Sequence, residues 1–250
     1  MTYSVVSIVY NRINEIKRLV CSVPTNLGRN RCQCMTPINT KTALVLGATG
    51  LIGDRLTHRL VDSMVYEKVK VLVRKSLPWQ HPRLQEILFD YEHPNGLLTQ
   101  ADDIFCCLGT TMKKAGSKEA FRKVDYQYPL TIARMGLENG ARQFAIVTAM
   151  GADTNSMFFY NRVKGEVERD LTALNYPTLL IFRPSLLLGD RSESRLGERL
   201  AEGAMRLFNP LIPAKYKGVN ADKVANAMLA TTQQGLTGKH VFESDALQAY

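Results

Sequence analysis

Tyr160 and Lys164, in the stretch FFYNRVKGEVERDL, stand four residues apart and so share one face of a helix. That pairing can move a proton. A phenol at its ordinary pKa of about 10 is a poor acid or base near neutrality. An ammonium beside it favours the phenolate, as does any further positive charge brought close, and the shifted group can pass a proton to or from a substrate oxygen. The same spacing also arises as a surface tyrosine beside a lysine. What separates the two readings is position, because the pair follows the fifth of a series of short apolar runs.

The first of those runs leads into ALVLGATGLIGDRLTHRL, residues 43–60, where Gly47, Gly50 and Gly53 recur every third residue between an apolar strand and an amphipathic stretch. Glycine serves three purposes in such a turn: unusual backbone angles, close approach of main chain to a pyrophosphate, and tight packing of helix on strand. Thr49, Leu51 and Ile52 complete the turn, and the helix opening there offers free N–H groups and a positive dipole end to phosphates. About twenty to twenty-five residues further on, a domain selective for NAD would carry an acid for the ribose 2′-hydroxyl. Here the second strand ends VLVRKS, with Arg74 and Lys75. Two cations at that point attract a 2′-phosphate, so NADP(H) is expected over NAD(H), which stays possible; the other reading leaves both cations in solvent. Asp90, closing the third strand, is a candidate acceptor for an adenine amino group or a cap for its own turn.

The elements that must position these residues alternate regularly after Lys41, as in a parallel sheet built from βαβ units. Strands are expected at 42–46, 69–73, 86–90, 103–107, 143–148 and 178–183, with helices at 50–64, 118–139 and 157–174. In the helix at 118–139, Phe121, Val124, Leu130, Ile132, Ala133 and Leu137 recur at helical spacing, and Asn139-Gly140 closes it. Beyond Arg183-Pro184 the alternation gives way to a Gly- and charge-containing loop, a helix at 198–208, a turn through Pro210 and Pro213, a helix at 221–233 and a short strand near 241–244. The fold class is therefore α/β, a Rossmann-type doubly wound parallel sheet, with a small C-terminal cap over about 185–250. In that cap Arg191 and Arg195 are candidate lid residues, and Arg199 reads as a solvated helix face.

At 250 residues and 45% hydrophobic, the chain can bury one large core without disulfides or metal. Lys and Arg number 32 against 23 Asp and Glu, and residues 1–41 carry +5 of the net +9. The remainder is only modestly basic, which suits an anionic small-molecule ligand and not a nucleic-acid coat. Five cysteines without paired spacing argue against a zinc site or a secreted disulfide framework, so a reducing cytoplasm is expected. No run approaches the roughly 18 to 20 apolar residues of a membrane span. Residues 1–40 read as a leader, disordered or set before a misassigned start, since MTPINTKTALVLGATG would make an ordinary beginning; an Arg-containing, acid-poor composition also fits an organellar presequence. A small-molecule substrate is the expected partner, on a monomer or homodimer.

The glycine turn with Tyr160-x-x-x-Lys164 resembles the short-chain dehydrogenase/reductase superfamily in its extended or atypical branch. More narrowly, DIFCCLGTTMKKAGSKEAFRKVDYQY, VTAMGADTNSMFFYNRVKGEVERDL and FRPSLLLGDRSESRLGE resemble the Tat-interactive-protein oxidoreductase group and its fungal mitochondrial relatives. The resemblance runs from Thr42 to the C-terminus. It implies NADP(H), with Leu108, Gly109 and Thr110 lining the nicotinamide ribose, Lys164 holding the ribose hydroxyls, and Pro184 and Ser185 bordering the substrate space. It also implies that Tyr160 is the general acid/base of a carbonyl/alcohol oxidoreductase. The chain departs from the family after the fifth strand, where Thr148-Ala149 stand in place of two serines. The hydroxyl that polarises a substrate carbonyl then comes from Thr148 or is missing, and a missing one favours a redox sensor that binds NADP(H) without turnover.

Overall fold

The computed structural model describes residues 41–189 and 216–250. The expected leader, the helix at 198–208, the turn through Pro210 and Pro213, and Arg191, Arg195 and Arg199 lie outside the described residues.

Seven strands form one parallel sheet: β1 Lys41–Leu46, β2 Tyr66–Val73, β3 Leu84–Leu88, β4 Asp103–Cys106, β5 Gln143–Val147, β6 Thr178–Arg183 and, last in the chain, β9 Gly238–Glu243. Their order is β3-β2-β1-β4-β5-β6-β9. Helix α1 (Leu51–Asp62) follows β1. A short helix α2 (Met112–Ala115) and then α3 (Lys118–Arg122) and α4 (Tyr128–Glu138) follow β4, α5 (Phe159–Ala173) follows β5, and α6 (Ala221–Thr232) precedes β9. Two-residue strands β7 (Leu187–Leu188) and β8 (Val219–Asn220) pair in a separate small ladder, and α7 (Ser244–Leu247) closes the chain.

The central strands are apolar throughout because both faces of the sheet are covered. Along β1, Ala43 and Val45 turn to a core shared with Ile52, Leu56 and Leu60 of α1 and Val224 and Met228 of α6. Leu44 and Leu46 turn to the opposite core with Ile132 and Ala133 of α4 and Val167 and Leu171 of α5. The described part of the expected cap is thus largely integral to the sheet: β9 pairs with β6 from Thr178↔Gly238 to Arg183↔Glu243. Its pattern did not advertise this, because an edge strand is half exposed along its whole length.

The helix expected over 118–139 is interrupted by a π-helical turn at Lys123–Gln127. Pro129 is the cause to be read from the sequence. It has no N–H to give the carbonyl four residues back, that of Asp125, and its ring crowds that carbonyl, so the chain widens by one residue before continuing as α4. Strand order reverses between β1 and β4, which opens a crevice at the C-terminal ends of those strands. Every candidate residue discussed below lies on a segment leaving that edge.

Candidate functional site

The glycine turn is a packed object. Gly47 has φ +79°, and a Cβ on it would lie 2.6 Å from the Cys107 carbonyl oxygen at the end of β4. A Cβ on Gly53 would come within 2.1 Å of the Gly47 oxygen. Gly50, the residue capping α1, donates its N–H to Gly47 O at 2.9 Å, and no side chain caps the helix. The N-terminus of α1 therefore keeps free N–H groups, although Asp54 in its first turn offsets part of its positive dipole end.

That N-terminus opens onto a cleft of about 620 Å³ lined by Thr49, Gly50, Leu51 and Ile52, by Leu108, Gly109 and Thr110 from the segment after β4, and by Thr148, Tyr160 and Lys164. Ten of the expected site residues thus share one cavity. Gly47 and Gly53 lie behind it as the packing that shapes it. Pro184 is buried, its carbonyl accepting from Met150 N at 2.9 Å, and Leu187 further along lines the cleft instead.

Arg74 and Lys75 are exposed just past the end of β2 and do not line this cleft. The charge of Arg74 reaches the Tyr91 and Tyr128 phenols. Asp90 is absent from the cleft as well. It caps its own turn, one oxygen accepting from Glu92 N at 2.9 Å and the other 2.9 Å from His93 Nδ1, and the His93 contact holds its carboxyl below the usual range.

The tyrosine and lysine sit one turn apart on α5. Tyr160 is 37% exposed at the cleft, its ring 5.6 Å from that of Phe121. Lys164 is only 3% exposed, and its ammonium lies 2.7 Å from Asp125 Oδ1 on the π-helical turn. The second Asp125 oxygen accepts the Thr110 N–H at 2.9 Å. Burial presses the Lys164 pKa down, but Asp125 and then Tyr160 press it up by more, and it stands above the ordinary lysine value.

Thr148 is buried, and its hydroxyl donates to Glu168 Oε1 at 2.6 Å. Glu168 is gripped by Arg183, whose Nε is 3.0 Å from the same oxygen, and Arg183 reaches on to Glu243 at 2.9 Å. The Glu168 contacts raise the Arg183 pKa. The proton of Thr148 thus points into a core ion network, and Ala149 beside it has none to give.

Among the cleft residues that were not anticipated, which include Asp54, Lys114 and Val147, two charged ones make defined contacts. Asp125 carries a faint signal, an acid among apolar helix positions four residues before a proline. Arg55, one turn into α1, lines the cleft while its Nε holds Asp222 of α6 at 3.0 Å; as one of several surface-type arginines it carries no signal in sequence.

A bare helix N-terminus at the switch point of a 3-2-1-4-5-6 parallel sheet, with a Tyr-x-x-x-Lys pair after the fifth strand, defines a Rossmann domain of the atypical short-chain dehydrogenase/reductase class. A solved structure of MoeE5 in complex with UDP-glucose and NAD matches the fold with a TM-score of 0.63, at 15% identity over 80% of this chain and 74% of that one. The chain belongs to the HIM1 family, whose model matches residues 82–214. It is 37% identical over 157 residues to the mitochondrial protein FMP52 of Eremothecium gossypii, spanning 62% of this chain and 70% of that protein. To the protein HTATIP2 of Rattus norvegicus it is 36% identical over 170 residues, 66% and 70% of the two chains.

Proposed function

We propose that this protein is an NADP(H)-dependent oxidoreductase that interconverts a carbonyl and an alcohol on a small molecule. The observation that carries the proposal is the meeting, in one cleft, of the uncapped N-terminus of α1 with Tyr160 and Lys164. The cradle fits a dinucleotide: side chains at Gly47 and Gly53 would collide with backbone and disrupt the turn, and Leu51 and Ile52, in the first turn of α1, line the space where a pyrophosphate would lie. Arg74 and Lys75, beyond β2, are the groups proposed to hold a 2′-phosphate. Solved structures of similar fold carry NAD, and the choice of NADP(H) here rests on those two cations and the lack of an acid beside them.

When bound, the dinucleotide supplies a hydride to a carbonyl carbon or takes one from an alcohol. Tyr160 donates its phenolic proton to the oxygen that becomes a hydroxyl, and recovers it in the reverse direction. Lys164 stabilises the phenolate that remains. Leu108, Gly109 and Thr110, which line the cleft, would border the nicotinamide ribose of a bound dinucleotide, with the apolar Leu187 lining the cleft beside them.

One observation favours a second reading, a protein that binds NADP(H) as a redox sensor. The Thr148 hydroxyl donates to Glu168, so neither Thr148 nor Ala149 offers a proton to a substrate carbonyl. Titration with NADPH and NADH, beside turnover on aldehydes, ketones and quinones for wild type and Tyr160→Phe, separates the readings. Tight NADPH binding with turnover lost in Tyr160→Phe supports the enzyme. Binding without turnover in either form supports the sensor, and no binding overturns both. The fungal relative's name carries the word mitochondrial, and we extend that placement to this protein over the cytoplasmic setting suggested by its cysteines; fractionation of cells expressing the tagged chain checks it.

A further inference from the structure

Lys164 raises a problem that the Tyr-Lys pairing does not solve. An ammonium 3% exposed has lost nearly all its water, and burial alone drives such a lysine toward its neutral form, in which it no longer stabilises a phenolate. The groups that face it come from three elements: Tyr160 on its own helix, Cys106 on β4, and Asp125 on the π-helical turn. The Cys106 thiol is pushed up to about 12 by burial and stays neutral. Asp125, itself 1% exposed, is the carboxylate that touches the ammonium, and it also receives the Thr110 N–H from the cofactor-facing segment after β4.

We propose that Asp125 is a positioning residue: its carboxylate keeps the Lys164 ammonium charged one turn from Tyr160 and ties the Leu108–Thr110 segment to α5. The proposal rests on the reading of Tyr160 and Lys164 given above. Its geometry has a specific origin. The wide turn that accommodates Pro129 places Asp125 inward, so a feature that weakens the helix also delivers a charge to a buried lysine. A buried pair of this kind is poor evidence for added stability, but removing one member leaves the other charge uncompensated.

The test compares wild type with Asp125→Asn, whose amide oxygen can still accept from Thr110. NADPH affinity is measured by fluorescence between about pH 7 and 9.5, where the wild-type lysine stays charged. In Asp125→Asn burial lowers the Lys164 pKa, and affinity is expected to fall about tenfold or more across that range beyond any change in wild type. Parallel profiles for the two proteins overturn the proposal. The Asp125→Asn/Lys164→Met variant, which has no ammonium to titrate, is expected to bind weakly with no such added fall.

A second readout needs no cofactor. Wild type has a Lys164 pKa above its unfolded value, so that stability is complete below about pH 10 and is lost above it. The variant's depressed lysine gains stability as pH rises, so the gap in melting temperature between the two proteins narrows from pH 7 toward 10. A constant gap overturns the proposal even if wild type binds neither NADPH nor NADH, an outcome that by itself removes only the nucleotide reading. If Asp125→Asn alone does not fold, recovery of folding in the double variant supports the role and its failure overturns it.

Discussion

Gly53→Ala and Gly50→Ala should fail in different ways, the first in stability and the second in nucleotide binding, although they lie three residues apart in the same turn. A Cβ on Gly53 would stand 2.1 Å from Gly47 O, 2.7 Å from Gly47 C and 3.2 Å from Ala48 Cα, all backbone atoms. Relief requires α1 to retreat from β1 by roughly an ångström, since carbon atoms attract best at about 3.5–4.0 Å. On its far side α1 is anchored to α6, with Arg55 3.0 Å and Arg59 2.6 Å from Asp222. Overpacking costs typically 1–3 kcal/mol, and an obstacle made of backbone on one side and an ion-paired helix on the other puts Gly53→Ala at about 3 kcal/mol. In a domain of this size that lowers Tm by roughly 6–12 °C. Gly50 has φ −86° and ψ 167°, angles open to any residue, and its added Cβ would lie 3.2 Å from Gly47 O. Gly50→Ala should therefore cost about 1 kcal/mol or less as a cap. It puts a methyl where the helix N-terminus meets phosphate, and loss of one charge-assisted contact of about 1.5–3 kcal/mol weakens NADPH binding roughly 10- to 100-fold. Thermal melts followed by circular dichroism and NADPH titration of both variants decide the matter. A Gly53→Ala protein as stable as wild type, or a Gly50→Ala protein with unchanged affinity, would show that the turn is neither packed nor placed as argued.

Three further outcomes are expected. Arg74→Gln with Lys75→Gln should weaken NADPH binding about 10- to 100-fold while leaving NADH within about threefold, because only the 2′-phosphate loses a charged partner; equal losses for both would refute the NADP(H) assignment. Thr148→Val should leave turnover within about threefold and cost about 1–3 kcal/mol in urea unfolding, since the hydroxyl serves Glu168; a fall of about 10²-fold or more in kcat would show instead that it serves the substrate. Asp222 is held below its usual carboxyl range by Arg59, with burial opposing and Arg55 assisting. Its folded pKa is the lower one, so its contribution is complete above about pH 4 and fades as pH falls through the depressed value. Asp222→Asn should then melt earlier than wild type at pH 7 and converge on it in acid.

The sheet was legible because its strands are buried on both faces and so read as unbroken apolar runs bounded by polar turns. The expected strand at 42–46 is β1 but for one residue, and the run at 178–183 is β6. Where a strand meets the site the limits slip: 143–148 was expected, but β5 ends at Val147 and Thr148 begins the loop. The helix face drawn through Phe121, Val124 and Leu130 illustrates a different limit. Phe121 and Leu130 are buried, but Val124 is only half so, and Asp125 takes the inward place. A constant 3.6-residue period cannot represent a turn widened by Pro129. Tyr160 and Lys164 were visible because their spacing is local; Asp125 lies 39 residues from Lys164, and only the docking of β4, the wide turn and α5 brings the two together. Likewise nothing in the sequence separates the committed hydroxyl of Thr148 from a free one, because its partner Glu168 arrives twenty residues on, from α5.

That commitment bears on which of the two functions the site performs. Glu168 accepts from Thr148 and from Arg183, and Arg183 is shared with Glu243 on β9, so a chain of charge, buried at Thr148 and Glu168 and half-exposed at Glu243, links the loop after β5 to the edge of the sheet. Turning the Thr148 hydroxyl toward the cleft would leave Glu168 one donor short in a buried setting, at a cost of about 1–3 kcal/mol. A substrate oxygen must repay that cost before it gains anything from Thr148. On the proposed enzymatic reading, acid–base work therefore falls to Tyr160, with Lys164 and Asp125 behind it. Such a site suits a carbonyl that is already polarised, as in a quinone or a conjugated aldehyde, better than a simple ketone. A substrate panel ranked by carbonyl electrophilicity should accordingly show rates rising with that property, whereas a flat ranking would mean that a donor other than Tyr160 reaches the oxygen.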